Sequence, residues 1–123
     1  MKNAMLAVST LLALAACGDP FIGGVDCPAI VPASVRVTVQ DSVTGANVTP
    51  GATVVLHNGA VVESVVGPPG AGEVAVGGNR TGTFTVTVDQ TGYQTWTKTG
   101  VKVEKGPCGA RTVLLTARLK PAA

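Results

Sequence analysis

From Ser34 to Leu119 the chain alternates apolar and polar residues in short runs, and each run is stopped by Gly, Pro, Asn or Asp. A period of two sends successive side chains to opposite faces of a strand, so each run predicts a strand with one buried face. Thr83 to Asp89 is the clearest, with Phe84, Val86 and Val88 on one face and Thr83, Thr85 and Thr87 on the other. Val35, Val37 and Val39 share a face in a second run, and Ala52, Val54 and Leu56 in a third. Val61 to Val66, Glu73 to Val76, Tyr93 to Thr99, Val101 to Glu104 and Arg111 to Leu119 bring the total to seven or eight short strands. Val113, Leu115, Ala117 and Leu119 form the inward face of the last one. Composition agrees: 21 Val and 15 Thr are β-branched residues that suit a pleated surface, while 16 Gly and eight Pro oppose helices. The expected architecture is an all-β sandwich.

The breaks carry their own chemistry. Asp41 to Gly45 predicts a turn in which the Asp41 carboxylate accepts from its own backbone. His57-Asn58-Gly59-Ala60 predicts a type I′ hairpin with His57 as a solvated turn residue. Gly67-Pro68-Pro69-Gly70-Ala71-Gly72 has no use in a ladder and predicts a loop. Thr-Gly recurs at Thr44, Thr81, Thr91 and Thr99, at intervals of 37, 10 and 8 residues that share no period, so these are turn signals and not repeats.

The N-terminus reads as an address. Met1-Lys2-Asn3 precedes a thirteen-residue apolar run, Ala4 to Ala16, which falls short of the roughly 20 residues a membrane span needs. Leu14-Ala15-Ala16-Cys17 resembles the bacterial lipobox. That resemblance implies cleavage of residues 1–16 as a signal peptide and a diacylglyceryl group on Cys17, so the mature chain is held to a membrane by its lipid. Gly18 stands where such lipoproteins often carry an Asp that retains them in the inner membrane, which points to the outer membrane in a cell that has one. Residues 17–33 form the anchored tether, and Gly18 to Asp26 reaches at most about 35 Å from Cys17 to Cys27. Residues 34–120 form the sandwich.

Setting Cys17 aside leaves Cys27 and Cys108, an even pair outside the cytoplasm, and this predicts a disulfide. Two Cys and a single His do not make a four-ligand zinc site, so no metal is expected. The net charge of +2 is small and scattered, which gives no support to a nucleic-acid partner. No P-loop or G-x-G-x-x-G element is present, and no cofactor is expected. His57 has no G-x-S-x-G serine to accompany it, and neither Asp41 nor Asp89 stands in a contiguous aspartic-protease motif. No catalytic residue is expected.

Val37-Thr38-Val39-Gln40-Asp41-Ser42-Val43-Thr44-Gly45, continued by Pro50-Gly51-Ala52-Thr53-Val54-Val55-Leu56, resembles the opening of carboxypeptidase regulatory-like domains. Gly82 to Val88 followed by Gly92-Tyr93 resembles them too. The resemblance spans roughly Ser34 to Leu119 and implies a transthyretin-like, seven-stranded sandwich serving as an accessory module. It brings no catalytic residue, and the Cys27 and Cys108 pair lies outside the general family pattern. The expected function is a non-enzymatic, membrane-anchored module of the bacterial envelope that binds protein or serves a structural role. The alternative is a saccharide- or cell-wall-binding module in which Trp96 and Tyr93, with Gln94 and Lys98 beside them, form a stacking surface. The competing role for both aromatics is packing, with the Tyr93 ring against the core and Trp96 covering the end of a sheet.

Overall fold

The computed structural model describes Cys27 and residues 29–122. The signal peptide, the Cys17 anchor and the Gly18 to Asp26 linker lie outside the described residues. Seven substantial strands follow the predicted runs: β1 (Ala33–Asp41), β2 (Thr53–Asn58), β3 (Ala60–Val66), β4 (Val74–Gly78), β5 (Gly82–Asp89), β6 (Trp96–Val103) and β9 (Val113–Leu119). Between the last two lies a miniature hairpin of β7 (Lys105–Gly106) and β8 (Gly109–Ala110). The described residues contain no helix.

The strands form two layers. One sheet has the order β4-β1-β9 and the other β3-β2-β5-β6. β1 pairs antiparallel with β4 and parallel with β9, so the first and last long strands run side by side, from Val35 opposite Val113 to Asp41 opposite Leu119. Every pair in the other sheet is antiparallel. The inner faces are those the alternation picked out. Val35, Val37, Val39, Ala52, Val54, Leu56, Val86, Val88 and Ala117 are wholly buried, and Phe84 nearly so. Burying such side chains is the main force holding the layers together.

Two buried hydroxyls pin the ends of this core. The Thr49 Oγ1 accepts from the Val39 N–H at 2.9 Å, and the Ser34 Oγ accepts from the Arg80 N–H at 2.8 Å while its single proton is shared between the Gly77 and Arg80 carbonyls. Each replaces water for backbone groups that have lost it.

Three local expectations change. The chain does not break at Gly100: β6 runs on to Val103, and Thr99 and Gly100 together stand against Thr85, because Val101 pairs with Phe84 and Lys98 with Val86. Gly100 has φ +67°, the left-handed conformation a glycine bulge uses. In the β2–β3 hairpin Gly59 has φ +82° while Asn58 does not have positive φ, so the turn is not type I′, which needs it at both positions. His57 belongs to β2 and not to the turn, its Nε2 lying 2.9 Å from the Thr87 Oγ1 on β5.

Cys27 and Cys108 are disulfide-bonded, with 5.2 Å between their Cα atoms. Cys108 sits at the tip of the β7–β8 hairpin, so the bond fastens the chain ahead of β1 to the segment just before β9. Asn79 reinforces this end: its N–H donates to the Pro32 carbonyl at 2.7 Å and its Oδ1 accepts from the Ala110 N–H at 2.9 Å.

Candidate functional site

At the other end of β9 the chain turns back along the segment that leads into β6. The Gln94 N–H donates to the Lys120 carbonyl at 2.8 Å, the Ala122 N–H donates to the Gly92 carbonyl at 2.9 Å, and Tyr93 bridges to Pro121. These bonds draw two stretches that are distant in sequence into one groove of about 220 Å³, lined by Gln94, Thr95, Trp96 and Thr97 from one and Arg118, Leu119 and Lys120 from the other. Trp96 opens β6 opposite Val88, is partly buried against the core and contributes to the groove wall.

The two aromatics singled out in the sequence therefore part company. Trp96 lines the groove; Tyr93 does not. The Tyr93 ring packs against the core and its hydroxyl donates to the Asp41 Oδ2 at 2.7 Å. Asp41 also accepts from the Val43 and Thr44 N–H groups, at 2.7 and 2.9 Å, as its turn position predicts. Those bonds, led by the one from Thr44 and then the Tyr93 hydroxyl, hold the Asp41 carboxyl below its ordinary value of 3.8. The same contact, aided by some desolvation, raises Tyr93 above 10.0. Tyr93 is thus a structural clamp between the β1 turn and the β5–β6 connection.

Lys98, expected beside the aromatics, does not line the groove, whereas Arg118 and Lys120 do. Arg118 stands on β9 of the opposite sheet and Lys120 directly follows that strand, and only the closing of β9 beside β6 brings this segment to Trp96. Among the described residues the ion pairs are Arg36 with Glu73 at 2.9 Å and Lys102 with Glu104 at 3.7 Å, so no carboxylate of a described residue lies within 4 Å of the Arg118 or Lys120 cation. The carboxylate tied to the groove wall is Asp89, which accepts from the Thr95 hydroxyl at 2.5 Å.

A second cleft, about 250 Å³, lies at the stapled end between Ile30, Pro32, Pro107, Cys108 and Arg111. Arg36 also lines it but is engaged by Glu73. Outside the clefts, the most open apolar surface includes Val61 and Val66 on β3, 69% and 58% exposed, and Leu114 on β9, 73% exposed. β3 ends its sheet, so one of its sides has no strand hydrogen-bonded to it, although β4 of the other sheet lies close and its Gly77 N–H donates to the Glu63 carboxylate at 2.6 Å.

Among the described residues no three His, Cys, Asp or Glu side chains gather where a metal could bind. With no helix among the described residues, none there is long and apolar enough to cross a membrane. No family model matches the chain, and no curated protein matches it.

Proposed function

We propose that this chain is a lipid-anchored protein of the bacterial envelope, held by an acylated Cys17, that displays a carboxypeptidase regulatory-like sandwich as a non-enzymatic protein-binding module. The observation that carries the binding role is the outer edge of β3. It has no strand hydrogen-bonded to it, carries two strongly exposed valines and contains neither Pro nor Lys, its one charge, Glu63, being engaged by the Gly77 N–H of β4. Such an edge accepts an extended segment of a partner through main-chain hydrogen bonds, with Val61 and Val66 supplying apolar contact. The lipobox-like Leu14 to Cys17 supports the anchor, and the order of motifs between Val37 and Tyr93 supports the family.

A photocrosslinking residue at Val61, in cells, tests the edge. A discrete adduct that disappears in the Val66→Lys protein, with the melting temperature unchanged, supports the proposal. Adducts no different from those formed at Thr83 on β5, or one insensitive to Val66→Lys, count against it.

A further inference from the structure

We propose that the stapled end of the sandwich rests on the membrane, with Ile30 and Val31 touching the lipid and Arg80, Lys105 and Arg111 facing anionic phospholipid headgroups. This rests on the acylated Cys17 of the proposed function and adds which face of the module the membrane covers.

The fold gathers these residues at one end. Gly78 on β4 pairs with Ala33 at the start of β1, the Asn79 N–H donates to the Pro32 carbonyl, and the Asn79 Oδ1 accepts from the Ala110 N–H of the β7–β8 hairpin. Arg80 follows in the β4–β5 connection, Lys105 pairs with Ala110, and Arg111 comes next in the chain. All three cationic residues are exposed. Ile30 and Val31, just ahead of β1, are 70% and 68% exposed, two consecutive large apolar side chains left open by the described residues. Ile30 and Arg111 line the same cleft, so apolar and cationic groups stand side by side, as the boundary between headgroup and hydrocarbon requires.

Charge divides the molecule. Among the described residues the stapled end carries Arg80, Lys102, Lys105 and Arg111 against Glu104. At the far end Arg118 and Lys120 are matched in number by Asp41 and Asp89. Counting Asp26, which directly precedes Cys27 in sequence, still leaves the stapled end with four cations against two carboxylates. Such an end is drawn to an anionic surface over a Debye length, about 10 Å at 0.1 M salt.

The anchor decides the occupant. Cys27 is bonded to Cys108 at the tip of that same hairpin, so the chain from Cys17 enters the domain there. The steps from Cys17 to Cys27 reach at most about 35 Å, which keeps the membrane within reach of this end and lets weak contacts act at high effective concentration. β1, with nine residues and a length of about 30 Å, then stands away from the membrane, with the Asp41 turn outermost and the β3 edge left open to a partner.

Photoreactive benzoylphenylalanine tests the contact. It replaces Val31 in one protein and, as a control, Val43 in the turn at the far end, itself 76% exposed. Each protein is purified from host membranes, its intact mass reporting the lipid on Cys17. It is then reconstituted in vesicles of phosphatidylcholine with about one-third phosphatidylglycerol, or of phosphatidylcholine alone. The expected phospholipid adduct is about fivefold more abundant at position 31 than at 43, and falls about threefold without the anionic lipid. Lys105→Gln combined with Arg111→Gln lowers it equally at an unchanged melting temperature, whereas Lys98→Gln in mid β6 does not. Equal labelling at the two positions of acylated protein overturns the proposal and leaves the anchor standing. Labelling at 31 that ignores both the anionic lipid and the double substitution does the same, as does a crosslink between two copies in place of lipid. Protein without lipid on Cys17 overturns the anchor, and this proposal with it.

Discussion

Removing the disulfide tests how this small domain holds together. Cys27 and Cys108 are 81 residues apart, and the loop they close contains β1 to β7. Chain-entropy arithmetic for a loop of that size gives about 4.5 kcal/mol of stabilisation, mostly by restricting the unfolded chain. A domain with fewer than 100 ordered residues has only about 5–14 kcal/mol in total, so the bond supplies a large share. The double variant Cys27→Ser/Cys108→Ser leaves the core untouched and removes only the staple. Its melting temperature is expected to fall by on the order of 20 °C. Its dependence on guanidinium steepens, because a chain without the crosslink unfolds to a more exposed state. Reduction of the unaltered protein gives the same shift. A fall below about 3 °C, or a loss of several kcal/mol with no change in denaturant slope, refutes the entropic account.

Thr49→Val keeps the shape of a buried side chain but leaves the Val39 N–H without its acceptor, and denaturant melts are expected to show a loss of about 1–3 kcal/mol. Gly67→Ala places a Cβ 2.2 Å from the Thr49 carbonyl oxygen, a backbone atom that cannot swing aside; a loss of about 1–3 kcal/mol is expected, against a tolerated Gly72→Ala with open space around it. Because the Asp41 carboxyl is held below 3.8 in the fold, its contribution is complete above that pH and is lost as pH falls through the lower folded value. Asp41→Asn flattens this acid limb of a stability-against-pH curve. The raised Tyr93 acts at the other end: its contribution is present below pH 10.0 and disappears as pH rises through the higher folded value, a limb that Tyr93→Phe removes.

The core was legible because alternation reports directly on which side of a strand faces inward. Val35, Val37 and Val39, Ala52, Val54 and Leu56, and Phe84, Val86 and Val88 are all in it. The Asp41 turn was legible for a similar reason, since a carboxylate bonding backbone two and three residues on is a local event. Gly100 misled because glycine stops a strand and bulges one with the same conformation, and only the pairing of Phe84 with Val101 distinguishes the two. The groove was half legible. Trp96 and Gln94 stand out locally, but Arg118 and Lys120 reach them only through closure of two sheets, which no local pattern records. Lys98, close to Trp96 in sequence, is absent from the groove lining.

The anchored display of the sandwich is tested most directly by the intact mass of the protein extracted from membranes of its native host. The account predicts a chain beginning at Cys17, with 107 of the 123 residues, carrying a diacylglyceryl group and an intact disulfide, and release from the membrane fraction in Cys17→Ser. A mature chain beginning elsewhere, or one with Cys17 as an unmodified thiol, contradicts it.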